Sequence, residues 1–193
     1  VLSTENLSTK KLNTDKSSTD NLVVLRETPS ALHELANYKT LESAELRQRI
    51  AAVREQLGDS LLILGHHYQQ DEVIEHSDLR GDSYKLSQMA AESESCQTIV
   101  FCGVHFMAET AKILSPDKKV LLPDLKAGCS LAESCPADEF AKYKADRPDH
   151  IVISYVNCSA EVKALTDIVC TSTNAVQIIE SLPEDQKIIF GPD

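Results

Sequence analysis

The stretch LLILGHHYQQ at residues 61–70 decides the fold, because a continuous apolar run ends there in a cluster of polar side chains. Such a run is typical of a strand that is buried on both faces of a parallel sheet. Parallel strands need crossover connections, which are usually helical. The stretch therefore predicts an α/β protein whose polar groups follow the carboxyl end of a strand, where the ligands of such sheets collect.

The pattern of this stretch occurs a second time in the chain. His66 matches Tyr155 and Ser83 matches Ser172 at a constant offset of 89 residues, without a gap. Two equivalent sets of polar strand-end groups predict one cavity between two related α/β units, although two ordinary βαβ units can also resemble each other by chance. Further pairs at the same offset are Tyr68 and Asn157, Glu72 and Glu161, Val73 and Val162, Asp78 and Asp167, Ile99 and Ile188, and Phe101 and Phe190.

The bulk composition narrows the classes of function. With 193 residues, of which 42% are hydrophobic, the chain can form one or two domains with a sizeable core. The formal net charge of −11 argues against binding to nucleic acid or to an anionic membrane surface. No apolar stretch approaches the ~20 residues of a membrane span, and no secretory signal is visible. We therefore expect a cytoplasmic protein, with a plastid as the alternative location.

The six cysteines are not expected to form structural disulfides, because the chain lacks a secretory signal. No CxxC pair occurs, which argues against a zinc ribbon and against a thioredoxin-like site. Cys102 and Cys170 end apolar strand-like runs and are predicted to be small buried hydrophobic residues. The loop from Lys126 to Pro136 carries Cys129 and Cys135, and a thiolate there could be a nucleophile, a metal ligand or neither.

Three regions are expected along the chain. Residues 1–38 form a disordered tail, because its first part is rich in Ser and Thr and cannot bury enough apolar surface to become ordered. A first α/β domain follows over 39–124 and a second, incomplete one over 125–193. The chain stops directly after a strand, where the next helix would be needed to cover the sheet, and we therefore expect a fragment of a longer protein.

An amphipathic helix is predicted ahead of the first strand, because apolar residues recur there at helical spacing and a glycine follows them: Leu46, Ile50, Val53, Leu57 and Gly58. Strands are then expected at about 61–65, 98–102, 119–122, 151–156, 168–170 and 187–190. Helices are expected at about 71–77, 83–94, 106–115, 138–147, 159–165 and 173–182. Residues 123–136 are expected to form a loop between the two copies.

Two motifs carry chemistry on their residue types alone. GHHYQ places His66 and Tyr68 at a strand end, where they could donate hydrogen bonds or move a proton, or could simply be solvated. GDS places Ser83 at the start of a predicted helix, and Ser172 repeats this arrangement. A serine there can cap the helix, and the free N–H groups of a helix start can bind a phosphate or a carboxylate.

Taken together, seven segments resemble quinolinate synthases: GHHYQQDEV, GDSYKLS, GVHFMAETAKILSP, LLPDLKAGCSLAESCP, YVN, TSTNAV and FGPD. The likeness covers roughly residues 40–193. It implies three similar α/β domains around a pseudo-threefold axis, of which two would be present here as three-layer α/β/α units with parallel sheets. It also implies a transferase that condenses iminoaspartate with dihydroxyacetone phosphate to quinolinate, the pyridine precursor of NAD.

The resemblance also implies roles for individual residues. Tyr68 and His66 match the catalytic groups, and Cys129 matches the first of three cysteines that hold a [4Fe–4S] cluster with an iron site open to substrate. Cys135 matches a cysteine of some members and is not expected to be a ligand. The iminoaspartate substrate implies a functional link to L-aspartate oxidase. Matches to substrate-binding residues are His66, Ser83, Tyr155, Val156, Asn157 and Ser172.

The chain departs from the family pattern in one respect. The two other cluster cysteines of the family lie beyond the FGPD motif, where this sequence stops, so the fragment alone is expected to be inactive. Two interpretations from other classes stay open on the residues. One is a non-enzymatic α/β module that binds a small phosphorylated or carboxylated ligand without a metal, and the other is a zinc-dependent hydrolase that uses cysteines and His66.

Overall fold

The structure is a computed structural model and describes residues 37–192. The predicted tail over 1–38 lies outside those residues except for its last two. In chain order the elements are α1 (Ser43–Leu57), β1 (Leu61–His66), α2 (Asp71–Ile74), β2 (Leu79–Gly81), α3 (Ser83–Glu92), β3 (Thr98–Cys102), α4 (His105–Leu114), β4 (Lys119–Leu121), α5 (Ser130–Glu133), α6 (Ala137–Ala145), β5 (Ile151–Tyr155), α7 (Ala160–Ala164), β6 (Ile168–Cys170), α8 (Ala175–Glu180) and β7 (Ile188–Phe190).

Two separate parallel sheets organise these elements. The first has the strand order β2-β1-β3-β4 and the second the order β6-β5-β7. We call the part from α1 to β4 the first unit and the part from α6 to β7 the second unit. Every pair of neighbouring strands is parallel, which confirms the predicted α/β class with layered helices. Among residues 37–192, no helix has the length and apolar character needed to cross a membrane.

The core of the first unit lies between its sheet and the helices α3 and α4. Leu64 and Phe101 of the strands are fully buried there against Leu86 of α3, as the apolar runs of β1 and β3 predict. The opposite face is covered less completely by α1, none of whose residues is buried. A groove of about 530 Å³ remains under α1, and Ile63 and Val100 of the sheet line part of it.

The core of the second unit lies on the other face of its sheet. Phe140 of α6 covers Val152 and Ile189, and Val162 of α7 completes the cluster together with Cys158. The first residues of α6 carry carboxylates and its last turn carries lysines, which suits the helix dipole at both ends. The helix α8 lies outside this core and has no buried residue.

The predicted repeat is confirmed by the strand registers. Leu64 pairs with Leu79 in the first unit, and Ile153 pairs with Ile168 in the second, at the same offset of 89 residues. Because the two strands lie in separate sheets, the match is not a property of one continuous sheet. The third strand agrees as well, through the pairs Leu62 and Ile99 against Ile151 and Ile188, Ile63 and Val100 against Val152 and Ile189, and Leu64 and Phe101 against Ile153 and Phe190.

In each unit, the aspartate just before the second strand along the chain forms hydrogen bonds with the backbone of the central strand. The Oδ2 atom of Asp78 accepts a hydrogen bond of 2.8 Å from the backbone N–H of Ile63, and Asp167 accepts one of 2.8 Å from Val152. In addition, the N–H of Asp78 donates to the carbonyl oxygen of Ile63, and the N–H of Asp167 donates to that of Val152. Buried or half-buried N–H groups need such partners, so these two aspartates stabilise the start of each central strand.

A cation from the preceding helix completes this arrangement in both units. Arg54 of α1 donates to the carbonyl oxygen of His76 and to the first of the two aspartates. Lys144 of α6 donates to the carbonyl oxygen of Leu165 at 2.6 Å and lies 4.0 Å from the second aspartate. His76 and Leu165 are themselves repeat partners. In each unit, the carbonyl oxygen at this position therefore accepts a hydrogen bond from a basic side chain of the preceding helix.

Two elements were missed by the sequence prediction. β2 (Leu79–Gly81) was not predicted, although its repeat partner β6 was, and α5 (Ser130–Glu133) falls in the stretch predicted to be a loop. Both are short, so they carry little periodic signal. The domain boundary at 124/125 stays a prediction. Three residues that follow it pack against the core of the first unit, namely Leu125, Cys129 and Ala132.

Candidate functional site

Three rings cluster where β1 ends. The imidazoles of His66 and His67 are stacked with their centroids 4.4 Å apart, and the ring of Tyr68 lies 4.6 Å from the first and 4.2 Å from the second. His66 is 4% exposed and Tyr68 is 81% exposed. The structure thus brings the predicted catalytic pair together, with one member inside the protein and the other at its surface.

The surroundings of His66 favour its neutral form. Burial lowers its pKa below the usual 6.5, and the neighbouring His67 lowers it further, while Asp82 acts in the opposite direction. The Nδ1 atom of His66 accepts a hydrogen bond of 3.4 Å from the backbone N–H of Tyr68, which places the proton of the neutral ring on Nε2. His66 can therefore donate a hydrogen bond from Nε2 to a ligand without carrying a charge.

His67 is held by the second strand, a contact that sequence reasoning missed. Its backbone N–H donates to the carbonyl oxygen of Gly81 at 3.2 Å, and its Nδ1 atom lies 3.1 Å from the same oxygen. A carbonyl oxygen can only accept, so Nδ1 of His67 carries the proton. This hydrogen bond therefore fixes the imidazole of His67 in its position against the ring of His66.

The start of α3 places Ser83 beside this cluster. Asp82 is the N-cap, because its Oδ1 atom accepts a hydrogen bond of 2.9 Å from the N–H of Lys85. Ser83 is the first helical residue and is buried, and the capping role proposed for it belongs to its neighbour. Its carbonyl accepts a bond of 2.7 Å from the hydroxyl of Ser87, whereas its own hydroxyl has no protein partner within residues 37–192.

The end of β5 repeats the backbone of the first site. The N–H of Val156 donates to the carbonyl oxygen of Cys170 at 2.9 Å, as the N–H of His67 does in the first unit. Tyr155 and Asn157 are half-buried on either side of it. Val156 itself is buried.

Ser172 does not occupy the position that Ser83 has in the first unit. α8 begins at Ala175, so Ser172 precedes the helix and is exposed. The turn is organised by its neighbours, since Oδ1 of Asn174 accepts a hydrogen bond of 2.7 Å from the N–H of Thr171. The repeat therefore holds for the strands more closely than for the helix starts.

All six cysteines are free thiols. Cys158 and Cys170 are fully buried, Cys102 is half-buried, and burial raises the pKa of all three thiols. Cys129 is half-buried at the N-cap of α5 and packs against the core of the first unit. Within the part of the chain that the structure describes, no group of three or more His, Cys, Asp or Glu side chains could hold a metal ion.

Two cavities of the first unit lie away from these residues. One is the apolar groove under α1, and the other is a polar pocket of about 410 Å³ that Arg54 and Asp78 line near the start of β1. The candidate site residues lie instead at the carboxyl ends of the strands, which is where ligands bind in sheets of this kind. A common opening between His66 and Tyr155, with Cys129 at its rim, stays a prediction.

Together these observations define a class of protein. Two α/β units share one strand register, and each carries polar side chains at the carboxyl end of its central strand. This is the architecture of a repeated α/β protein, and sheets of this kind bind their ligands at the carboxyl ends of the strands. Residues 48–193 match the sequence model of the family described as "Quinolinate synthetase A protein". The chain belongs to this family, which confirms the resemblance seen in its motifs.

Curated relatives agree with this assignment. The chain is 58% identical over 149 residues to a quinolinate synthase of Prochlorococcus marinus (strain MIT 9313), a match that covers 77% of this chain and 44% of the relative. A quinolinate synthase of Gloeothece citriformis is 64% identical over 132 residues, covering 68% and 41%. One of Nostoc punctiforme is 53% identical over 161 residues, covering 82% and 49%. The chain thus spans less than half the length of these relatives.

Proposed function

We propose that this chain forms the first two of three pseudo-symmetric α/β units in a quinolinate synthase. The whole enzyme would be a transferase that condenses iminoaspartate with dihydroxyacetone phosphate to quinolinate, a precursor of NAD. Membership of the family supports this proposal, as do the names of the relatives. Because the chain spans less than half of each relative, we expect it to be inactive alone. The proposal includes a functional link to L-aspartate oxidase and a cytoplasmic or plastid location.

One observation carries the proposal, which is that both central strands end in hydrogen-bonding side chains at matched backbone positions. His66 and Tyr68 follow β1, and their repeat partners Tyr155 and Asn157 follow β5. The two substrates carry carboxylate, phosphate and carbonyl oxygens, and all of these accept hydrogen bonds. A site with two such strand ends offers donors to a substrate at two separate places.

His66 and Tyr68 are proposed to handle protons. The neutral His66 can donate from Nε2 to a substrate oxygen, and the hydroxyl of Tyr68 can donate a proton to a developing oxyanion. The high exposure of Tyr68 means that residues 37–192 do not shield it from water. We therefore expect a bound substrate or another part of the enzyme to cover this ring during the reaction.

Ser83 is proposed to bind a substrate anion. Its hydroxyl has no protein partner within residues 37–192, and it lies at the first turn of α3, where the helix dipole favours negative charge. The carboxylate of Asp82 already accepts one of the free N–H groups of that turn. A substrate anion would therefore depend on the Ser83 hydroxyl more than on the helix start alone. Ser172 is proposed for a similar contact, although it stands in the turn before α8.

Cys129 is proposed as one thiolate ligand of a [4Fe–4S] cluster. Such a cluster needs three or four cysteines, and residues 37–192 gather no three-donor group, so the described residues by themselves do not fit it. In the longer enzyme the cluster would supply a Lewis-acidic iron that assists the loss of water. The other thiolates would then come from the part of the enzyme that is not contained in this chain.

The test measures iron and sulfide after anaerobic reconstitution of the protein extended to the length of its relatives. Cys129→Ser should abolish stoichiometric cluster assembly, because a hydroxyl is a far poorer ligand for iron than a thiolate. Cys96→Ser is the matched control, since Cys96 is buried in the core beside β3 and should leave the iron content unchanged. Full iron content in Cys129→Ser would refute the ligand assignment. Tight dicarboxylate binding without iron would favour the non-enzymatic module instead.

A further inference from the structure

The two units are joined where α4 of the first packs against α7 of the second. At this junction the Oε2 atom of Glu109 accepts a hydrogen bond of 2.8 Å from the backbone N–H of Ala160. Ala160 is the first residue of α7, and its N–H has no partner within that helix. A carboxylate of one unit therefore satisfies a backbone donor of the other.

This bond lies at the far end of the loop that contains the proposed substrate contacts. Val156 is held at the near end, where its N–H donates to the carbonyl of Cys170 in β6. Ala160 is held at the far end by Glu109 of the first unit. Only Asn157 and two further residues lie between these two points, so the loop is fixed at one end to its own sheet and at the other to the first unit.

The same helix also holds the loop that leads to Cys129. The backbone N–H of His105, the first residue of α4, donates to the carbonyl oxygen of Ala127 at 2.8 Å. Ala127 is two residues ahead of Cys129, which packs against the core that α4 helps to form. The helix α4 therefore contacts both the loop before the proposed cluster ligand and the loop after β5.

A second contact strengthens the junction. The amine of Lys163 lies 5.6 Å from the centre of the Phe106 ring across the two units, and it donates to the carbonyl oxygen of Cys158 within the same loop. Burial lowers the pKa of Lys163, while Cys158 and Glu109 act in the opposite direction. An amine at this distance from an aromatic face is attracted to it, so two side chains tie the loop end to α4.

Glu109 could also be read as half of an ordinary pair on a helix surface. Its Oε1 atom lies 3.5 Å from Nδ1 of His105, one turn earlier on the same helix, and such pairs add only a few tenths of a kcal/mol. The Oε2 atom of Glu109 distinguishes it from such a pair, because this oxygen accepts a hydrogen bond from the second unit. The side chain of Glu109 is also only 23% exposed, so water competes weakly for that bond.

We propose that Glu109 is a positioning residue that sets the Tyr155–Asn157 loop against the first unit. The inferred consequence for catalysis rests on the proposed function, since only that function makes the loop a substrate contact. The tie itself stands on the geometry alone. Glu109 then aligns groups of the two units that act on one substrate, although it need not touch the substrate itself.

The first arm of the test measures amide hydrogen exchange on the 193-residue chain. Glu109→Ala should speed exchange at Ala160 by about tenfold, because a bond to a charged acceptor is lost. Glu109→Gln should restore most of the protection, since the amide oxygen can accept the same N–H. Glu161→Ala is the matched control on α7, because Glu161 is exposed. Equal exchange in Glu109→Ala and Glu161→Ala would overturn the proposal, as would a failure of Glu109→Gln to restore protection.

The second arm measures quinolinate formation by the protein extended to the length of its relatives. Glu109→Ala should raise KM for the dicarboxylic substrate by a larger factor than it lowers kcat, and Glu109→Gln should recover KM. Unchanged KM together with faster exchange would overturn the positioning role. If the unsubstituted protein makes no quinolinate, the proposed function fails, while the exchange arm still decides whether Glu109 ties the units together.

Discussion

The two units follow the same backbone path, yet the faces of their sheets are covered to different extents. Phe101 is fully buried under α3 and α4, whereas its repeat partner Phe190 is 39% exposed. Ala90 of α3 is fully buried, whereas its partner Ile179 on α8 is 41% exposed. The cause is α4, which packs along α3, while no element within residues 37–192 takes the same place beside α8.

The other face of each sheet shows the reverse difference. Ile189 is buried under Phe140 of α6, whereas its partner Val100 is only half-buried and lines the groove under α1; Val152 and its partner Ile63 are both buried. Strand register is thus set by the backbone and by the alternation of side chains, and it is shared by the two units. Burial is set by the helices that cover each strand, and it is shared only in part: Leu64 and its partner Ile153 are both fully buried, whereas Phe101 and Phe190 differ.

The largest expected effect is a difference in the free energy of unfolding between substitutions at Phe101 and at its repeat partner Phe190. Phe101→Ala should lower the free energy of unfolding by about 3–5 kcal/mol, because it opens a cavity in a closed core. Phe190→Ala should cost less than about 1 kcal/mol, because its ring is partly in water already. Urea denaturation followed by far-UV circular dichroism measures both. Equal losses would show that the difference in exposure has no energetic counterpart.

The next largest effect is the difference in stability between substitutions of Asp78 and Asp167, the two aspartates that bond to the central strands. Asp78→Ala should cost about 2–3 kcal/mol, because a backbone donor and the guanidinium of Arg54 both lose a partner. Asp167→Ala should cost about 1 kcal/mol, since its cation, Lys144, lies 4.0 Å away and the aspartate side chain is half exposed. The same denaturation experiment checks the order. A larger loss at Asp167 would contradict the roles described for the two cations.

A smaller effect is expected at the starts of α3 and α8, where the substitutions separate helix capping from substrate binding. Asp82→Ala should cost about 1 kcal/mol, because it removes the cap of α3, whereas Ser83→Ala and Ser172→Ala should change stability little. In the protein extended to the length of its relatives, the two serine substitutions should instead lower activity sharply. Melting temperature and rate of quinolinate formation are measured together. A change confined to the melting temperature would reject substrate binding by these serines.

The smallest expected effect is a pH dependence near neutrality that arises from His66 in the first unit. The pKa of His66 is below 6.5 in the folded protein, so the unfolded chain binds the proton more tightly. The contribution of the neutral imidazole to stability is present above pH 6.5 and is lost as the pH falls through the folded pKa. His66→Gln should therefore lose less stability than the unsubstituted chain between pH 7.5 and pH 5. Parallel losses in urea denaturation would refute this.

Much of the fold follows from sequence because its signals are local or repeated. The apolar runs of β1, β3 and β5 and the spacing of α1 up to Gly58 predict elements close to those observed. Gly58 has a positive φ of 50°, as expected for the residue that ends a helix. β2 was missed because three residues with an arginine at their centre give no clear period, although the 89-residue offset from β6 carries that information.

The site is predictable only in part, because its contacts depend on the fold. The motif around His66 and Tyr68 lies within one short stretch, and the structure brings its rings together. The bond between Glu109 and Ala160 joins positions 51 residues apart, and no local pattern indicates it. The exposure of Ser172 depends on where α8 begins, and such boundaries are poorly determined by propensity.

The cations that satisfy the paired carbonyls carry a further consequence for how the two units are compared. By the strand register Arg54 corresponds to Tyr143, yet Lys144 performs its task. The cation of the second unit is therefore displaced by one position from the register that the strands share. A positive charge against a carbonyl and a carboxylate thus recurs at the same place in both units, although the sequence position that supplies it differs. The likeness of the two units is therefore better measured by superposed atoms than by aligned residues.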